Sequence, residues 1–265
     1  MQIIVINLAS QHERWVAASR QFEALGLRAI RFEAVDGSAL GERQRATLYS
    51  EELNRRQYHK PLLPGEIGCY ASHLAAWRHL LRSGDPSLAI FEDDVQLDPD
   101  LPEVIDAVSR LRPPWDVVKL IGRDTEKLRA RRRLLGQRDL IAYRRVPSLT
   151  GAYVITAGGA QKLLAHRRPF GRPVDVDMRH WWECDLDLLG VHPYPVRGAP
   201  SSRLSTIEDR RADRTLLTSA RKLALQARYT VCNAMAIRAR ESREPARSRG
   251  RGPRVVDWPA RQDVV

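Results

Sequence analysis

The order of apolar and polar residues predicts strands and helices in alternation along most of the chain. Residues 2–8 form an apolar, β-branched run that is typical of a buried strand, and residues 28–34 alternate as a second strand does. Between them, Ser10 and Glu13 have the spacing of a capping box and predict a helix that ends near Leu25. A β-α-β unit of this kind favours a parallel sheet with right-handed crossovers.

The alternation continues to about residue 196, which predicts an α/β fold. Further helices are expected at 66–83, 98–111, 157–166 and 175–189, and further strands at 88–91, 116–121, 151–156 and 191–196. Residues 38–60 are polar and are expected to be helical or irregular, and the basic stretch 123–145 is expected to be an exposed loop or hairpin.

The C-terminal part has a different pattern. Residues 215–238 fit a basic amphipathic helix, and the Arg-, Gly-, Ser- and Pro-rich residues 241–254 are predicted to be disordered. We therefore predict a catalytic or binding domain at 1–200 and a basic tail at 201–265. The amphipathic helix is open to two interpretations, because it could lie on an anionic membrane or pack on the domain.

Composition and targeting signals narrow the cellular setting. No apolar run approaches the roughly 20 residues that span a bilayer, and the first residues lack the basic region of a signal peptide. The three cysteines are widely spaced and odd in number, which fits neither a disulfide framework nor a zinc pattern. We expect a reducing, cytoplasmic location, with peripheral contact to the inner membrane as an option.

The net charge of +12 is unevenly distributed. Residues 210–254 carry a net charge of +10 and residues 123–145 carry +6, so the rest of the chain carries −4. A nucleic-acid-binding protein that uses these two segments as phosphate contacts is the alternative function. That alternative leaves the acidic residues of the body without a role, and no nucleic-acid partner is expected.

The sharpest local feature is the triplet Glu92-Asp93-Asp94 directly after a buried strand. Open α/β sheets bind ligands at the carboxyl ends of their strands. Three adjacent carboxylates repel one another, and a hard divalent cation that also recruits substrate phosphates would offset that repulsion. A solvated acidic turn is the other interpretation.

Other candidate residues have two interpretations each. Asp175 and Asp177 enter a predicted helix, which they could cap, or they could face the site as a base or a second metal contact. His73 could be a core residue or line the site, and one of Trp181 and Trp182 could offer a ring face to a sugar. The sequence has neither a glycine-rich dinucleotide motif nor a P-loop, which argues against those enzyme classes.

Several blocks together resemble glycosyltransferase family 25. Bacterial members of that family build lipooligosaccharide, and animal members galactosylate collagen. The blocks follow the family's order and are VINLASQHER at 5–14, VDG at 35–37, LLPGEIGCYASHLAAW at 62–77, LAIFEDDV at 88–95, DVVKLIG at 116–122, LTGAYVITAGGAQKLL at 149–164 and PVDVDMRHWWE at 173–183.

The resemblance implies a GT-A-like, Rossmann-type sheet that uses a carboxylate motif to hold Mn²⁺ or Mg²⁺ on a nucleotide-sugar diphosphate. It implies Asp94 as the direct metal ligand, with Glu92 and Asp175 as further contacts. Asp175 is the first choice for the catalytic base and Asp177 the second. The donor and acceptor are expected to contact the residues that match the family's other blocks, namely Asn7, Leu8, Arg14, Asp36, Glu66, Ser72, His73, Glu92, Asp93, Lys119, Thr150, Gly151 and Tyr153.

The resemblance thus implies an inverting, metal-dependent enzyme that moves a hexose, with galactose favoured, from a UDP-sugar to a glycolipid or other saccharide. A chain that keeps the fold but has lost catalysis is a weaker alternative, and the presence of Asp93 and Asp94 argues against it.

Overall fold

The predicted α/β alternation is the architecture of the protein. A computed structural model describes residues 1–199, 216–243 and 256–257. The strands are β1 (Gln2–Asn7), β2 (Ala29–Glu33), β3 (Ser87–Glu92), β4 (Val95–Leu97), β5 (Val117–Lys119), β6 (Leu128–Leu135), β7 (Arg138–Tyr143), β8 (Ala152–Thr156), β9 (Leu188–His192), β10 (Val196–Gly198) and β11 (Val256–Asp257). The helices are α1 (His12–Ala24), α2 (Glu42–Leu48), α3 (Glu51–Gln57), α4 (Pro64–Ser83), α5 (Leu101–Ser109), α6 (Ala157–His166), α7 (Val174–Met178) and α8 (Leu216–Arg243), with a 3-10 turn at Trp181–Glu183.

One mixed sheet organises the fold. Within the described ranges its strand order is β11-β6-β7-β9-β5-β8-β3-β1-β2, and β4 pairs separately with β10. β1 is parallel to both β2 and β3, whereas β8 runs antiparallel to its neighbours β3 and β5. The predicted Rossmann-type mixed sheet flanked by helices is confirmed, and the predicted C-terminal helix is present as α8.

Helices cover both faces of the sheet because the strands bury both of their faces. On one face, Ile4 and Ile90 pack in a core with Leu74 and Trp77 of α4. On the other face, the alternate positions of the same strands pack against α1 and α5, as Val5 does with Phe22. Alternate strand residues point to opposite sides, so each apolar run supplies two cores at once.

The ends of the helices follow local chemistry, with one correction. Helix α4 begins at Pro64, whose fixed φ suits a first turn, and Gly84 ends it with φ of 76°. Helix α1 begins at His12 with no side-chain cap, so the predicted capping box of Ser10 and Glu13 is wrong. Helix α5 begins at Leu101 rather than at residue 98.

The predicted helix at 175–189 is wrong beyond its first turn. α7 ends at Met178, and residues 188–192 form the buried strand β9 between β5 and β7. Tertiary burial of this apolar run outweighs its helical spacing. The predicted last strand at 191–196 is accordingly divided between β9 and β10, with Pro193, which has no N–H to donate, between them.

The basic stretch 123–145 is a hairpin, formed by β6 and β7, but it is less exposed than predicted. Residues 140–143 of β7 are buried in the sheet, beside β9. Arg138 pairs with Asp98 at 2.8 Å and Asp100 at 2.6 Å. Part of the positive charge of this segment is therefore neutralised within the fold.

Helix α8 packs on the body of the protein. Asn233 accepts a hydrogen bond from the indole of Trp181 at 3.1 Å, and Arg240 pairs with Asp187 at 2.8 Å. Within the described residues, no helix has the length and apolar content needed to cross a bilayer. The predicted domain boundary at 200 and most of the segment predicted to be disordered, 241–254, lie outside the described residues.

Candidate functional site

The topology brings the carboxylate cluster, Glu92, Asp93 and Asp94, to the middle of one edge of the sheet. β1 pairs in parallel with β2 on one side and with β3 on the other. The order in which successive strands are added to the sheet therefore changes direction at β1. Open α/β sheets bind ligands at the carboxyl ends of their strands at such a switch point. Asn7 ends β1 and Glu92 ends β3, so both lie at this edge.

Polar side chains hold the outer part of the carboxylate cluster. The Nδ2 atom of Asn7 donates to Asp93 at 2.6 Å, and the Nε atom of Arg31 donates to Asn7 at 2.9 Å. The guanidinium of Arg14 lies 3.3 Å from a carboxylate oxygen of Asp93 and 3.3 Å from one of Asp94. Arg14 keeps about a third of its side chain in solvent, so its donors can reach an incoming anion.

A buried chain of hydrogen bonds holds the carboxylate of Glu92. His73 Nε2 lies 3.4 Å from Glu92 Oε1, and Thr150 donates to the same oxygen at 2.9 Å. The other nitrogen of His73 lies 2.8 Å from the hydroxyl of Tyr153, which also accepts from Trp77 at 2.9 Å. Burial works against ionisation of Glu92, but the His73 and Thr150 contacts hold its pKa below the ordinary value.

Lys119 and Asp175 form the inner part of the site. Lys119 is fully buried, and its ammonium donates to the carbonyl of Leu149. Burial lowers the pKa of Lys119 to about 8, although the charges of Asp175 and Glu92 oppose that shift. Burial raises the pKa of Asp175 to about 6, with Lys119 opposing the shift and Glu92 adding to it. Asp175 is therefore ionised at neutral pH and more basic than an ordinary aspartate.

The residues of this edge fit a hard divalent cation. Burial raises the pKa of Asp93, and burial together with the charge of Glu92 raises that of Asp94 to about 6. Burial is the main cause of both shifts, and the charge of Arg14 opposes them without cancelling them. Carboxylate oxygens are the donors that Mg²⁺ and Mn²⁺ prefer.

Cys69 lies next to the same carboxylates. One ligand atom each from Cys69, His73 and Glu92 lie within 4.8 Å of one another. Burial raises the pKa of the Cys69 thiol well above its ordinary value, and the charge of Glu92 adds to that shift. A protonated sulfur is a poor donor for a hard cation, so the oxygen set is the better match for Mn²⁺ or Mg²⁺.

Five other predicted contact residues have structural partners. Ser72 accepts from the backbone of Val35 and donates to that of Gly68, and Glu66 accepts from the backbone of Leu63 at the start of α4. Asp36 is exposed, and it is Ser38 that lowers its pKa. The remaining two contribute backbone carbonyls, Leu8 to Arg31 and Gly151 to the amide of Glu92.

Asp177, the second choice for the base, lies in a buried ion network, which favours Asp175 for that role. It is 2% exposed and accepts from the hydroxyl of Tyr70 at 2.5 Å. Arg172 lies 2.5 Å from one carboxylate oxygen and Arg167 lies 3.2 Å from the other. Each carboxylate oxygen has an arginine within ion-pair distance, so Asp177 holds α7 in place and is enclosed by its partners.

A cavity of about 380 Å³ has Asp175 in its lining, whereas Glu92, Asp93 and Asp94 are not among its lining residues. Its walls come from the end of α3, from α7 with the turn that follows, and from α8. Trp182 lines it half-buried, whereas its neighbour Trp181 is buried against Asn233. Two residues that sequence reasoning missed, Arg179 and Tyr229, also line it, and the periodicity of α8 gave no sign of a cavity beneath it.

Arg31 was also missed as part of the site. Its position on β2 carried the signal, because Val5 of β1 pairs with Arg31 in register, which brings its side chain near the end of β1.

Comparison with known proteins agrees with this architecture. The family model "Glycosyltransferase family 25 (LPS biosynthesis protein)" matches residues 1–178. The chain is 30% identical over 183 residues to procollagen galactosyltransferase 2 of Homo sapiens. The aligned region covers 66% of this chain and 29% of that protein. It is 29% identical over 217 residues to a probable inactive glycosyltransferase 25 family member 3 of Bos taurus, covering 72% and 36% respectively.

The chain spans about a third of the length of these curated relatives. The matched region contains the whole carboxylate cluster, Asp175 and the residues that hold them. The match to the family model extends over more than half of the chain, and on that ground the chain belongs to glycosyltransferase family 25.

Proposed function

We propose that this chain is an inverting glycosyltransferase that moves a hexose, galactose being favoured, from a UDP-sugar to a saccharide carried on a lipid. The observation that carries the proposal is the carboxylate cluster at the switch point of the sheet, with the basic carboxylate of Asp175 beside it. The alternative nucleic-acid-binding function gives these buried carboxylates no role.

Asp94 and Glu92 are the residues that would hold Mn²⁺ or Mg²⁺, which leaves Asp175 free to act as the base. The cation, when bound, neutralises the departing diphosphate and orients it. Arg14 supports the same task, because its forked donors suit phosphate oxygens and lie next to Asp93 and Asp94. Asn7 holds Asp93 in place, so the donor meets a pre-set arrangement.

Asp175 is the proposed general base. In an inverting transfer, a carboxylate takes the proton of the acceptor hydroxyl while its oxygen attacks the anomeric carbon and the diphosphate leaves. A raised pKa makes Asp175 a stronger base than an ordinary aspartate, and at neutral pH it remains ionised. The buried ammonium of Lys119 lies close enough to stabilise that ionised form.

The names of the relatives motivate the substrates. The family model is described as a lipopolysaccharide biosynthesis protein, and the human relative is named a galactosyltransferase. A relative labelled probably inactive shows that membership alone does not establish activity. This chain has the carboxylates that the chemistry requires, which supports an active enzyme.

Helix α8 supports a peripheral location on an anionic, cytoplasmic membrane face. Leu223, Val231 and Met235 are 67%, 57% and 64% exposed, on the side of α8 opposite to the packed Tyr229. Apolar side chains flanked by arginine suit the interface of an anionic bilayer. Replacing Leu223 and Met235 by Gln should reduce sedimentation with phosphatidylglycerol vesicles several-fold, and unchanged sedimentation would refute the membrane proposal.

The test of the transferase proposal is release of UDP. The full chain is incubated with UDP-galactose, Mn²⁺ and lipooligosaccharide, and UDP and the extended saccharide are measured. We expect both products in equal amounts, and the Asp94→Asn variant should form neither. A chain that forms no product with any UDP-hexose, or equal product from Asp94→Asn, would contradict the proposal.

A further inference from the structure

The cavity beneath α8 is strongly basic. Among its described lining residues, six are cationic, namely Arg56, Arg145, Arg172, Arg179, Lys222 and Arg228, and two are carboxylates. Arg172 is already paired with Glu183 at 2.6 Å. The cavity therefore keeps more positive charge than its own carboxylates balance.

Four of these cations have no carboxylate within ion-pair distance in the part of the chain that the structure describes. Arg145 and Arg179 lie over the ring of Tyr229, at 4.9 Å and 4.5 Å from its centroid, and the other two project from α8. Burial lowers the pKa of His59, and the charge of Lys222 is the next cause of that shift. The positive charge of the cavity thus disfavours protonation of His59, which lines it, and the same charge favours a bound anion.

The same cavity presents aromatic ring faces. The ring centroids of Trp182 and Tyr229 lie 5.4 Å apart, and those of His180 and Trp182 lie 5.2 Å apart. Ligand sites combine apolar and aromatic surface with a few placed polar groups. Ring faces pack against the C–H faces of a sugar, and the adjacent guanidinium groups bind its carboxylate or phosphate.

Asp175 connects this cavity to the reactive part of the protein. Asp175 is one of the residues that line the cavity, and its charge interacts with those of Lys119 and Glu92. A saccharide held in the cavity would therefore lie next to the proposed base. The donor diphosphate is assigned to Arg14 and Asp94, and neither of these residues is part of the cavity lining.

We propose that the cavity under α8 is the acceptor site and that it takes an anionic saccharide, one that bears a carboxylate or a phosphate. The proposal rests on the proposed transferase function, since it assigns the acceptor class of the same site. It also gives α8 a second task, because Lys222 and Arg228 are contributed by that helix.

The test is calorimetric binding to the full chain at low salt, without donor. Two matched pairs of probes separate the sources of charge: trigalacturonate against its methyl ester, and glucose 6-phosphate against glucose. We expect at least tenfold tighter binding of one or both anionic probes, and weakening of that binding at 300 mM salt. Equal affinity for the charged and neutral members of both pairs would overturn the proposal.

Variants locate the binding. Lys222→Gln combined with Arg228→Gln replaces two exposed side chains of α8 and should weaken the anionic probe about tenfold. Arg238→Glu, an equal charge change of −2 on α8 outside the cavity lining, should leave the affinity unchanged. Equal loss in both variants would show unspecific attraction to a basic helix and would refute the site.

Competition with UDP separates the acceptor from the donor. In the presence of Mn²⁺, saturating UDP should leave the anionic probe bound, because the cavity lining contains neither Arg14 nor any residue of the carboxylate cluster. Displacement of the probe by UDP would assign the cavity to the donor and overturn the proposal. The charge preference is measured without turnover, so a failure to use UDP-galactose refutes the transferase proposal and leaves this binding result to be judged separately.

Discussion

Two carboxylates on the same short helix have opposite surroundings. Asp177 has both oxygens occupied by Arg167, Arg172 and Tyr70, and its charge is matched. Asp175 belongs to a group of carboxylates whose pKa values are raised, with that of Asp175 at about 6. Buried charges that are fully paired support the fold, whereas buried carboxylates whose partners do not offset the cost of burial are ready to bind a cation or a proton.

The largest expected effect comes from Asp175, which has no ion pair within the described residues. Asp175→Asn removes the proposed base and should lower kcat by about 10²–10⁴-fold, with the KM for the donor little changed. The wild-type kcat should fall as the pH decreases through about 6, since the base must be ionised to act. Steady-state kinetics between pH 5 and 8 measure both quantities. A variant that keeps more than a tenth of the wild-type kcat would contradict the role of Asp175.

The same Asp-to-Asn change at Asp177 should affect stability and not catalysis. Asp177→Asn leaves two buried arginines to share one carboxylate, that of Glu183, and should lower the free energy of unfolding by about 3–5 kcal/mol. Chemical denaturation measures this loss. The kcat of the folded fraction should stay within a few-fold of the wild type, and an effect on kcat as large as that of Asp175→Asn would remove the distinction between the two residues.

The carboxylate cluster should be more stable without one of its charges. The pKa of Asp94 is about 6 in the fold and ordinarily 3.8, so its ionisation lowers stability as the pH rises from about 4 to about 6. Asp94→Asn should raise the free energy of unfolding at pH 7.5 by about 1–3 kcal/mol in the absence of divalent cations. The two proteins should be equally stable near pH 4. Destabilisation at pH 7.5 would show that Asp94 is a structural residue.

The smallest effect is expected at Arg14. Its pairs with Asp93 and Asp94 are 3.3 Å long and partly exposed to solvent, and such pairs contribute little. Arg14→Gln should lower the free energy of unfolding by only about 0.5 kcal/mol and should weaken UDP binding by about tenfold. A stability loss as large as that of Asp177→Asn would place Arg14 with the structural network.

The strands and the carboxylate cluster could be predicted from the sequence because they depend on residues that are neighbours along the chain. Residues 88–91 are a continuous apolar run, and the acidic triplet follows at once, so its place at a sheet edge could be predicted. The helix from Pro64 to Gly84 was predicted from the residues at its two ends. Such features need no knowledge of distant contacts.

Features that depend on contacts between residues far apart in the sequence could not be predicted. The sequence predicts one helix over 175–189, but the pairing of β9 with β5 and β7 makes the end of that run a strand. Asp175 and Asp177 look equivalent in sequence, and only the arrival of Arg167 and Arg172 from the preceding loop separates their roles. The cavity under α8 depends on how a helix far along the chain docks, which periodicity does not reveal.

The central claim is that the unbalanced carboxylates hold a divalent cation on a nucleotide diphosphate. Calorimetric titration of UDP into the wild type and Asp94→Asn, each with and without Mn²⁺, tests it most directly. We expect Mn²⁺ to tighten UDP binding to the wild type by at least tenfold and to have no effect on Asp94→Asn. Tight UDP binding that is independent of both Mn²⁺ and Asp94 would contradict the account.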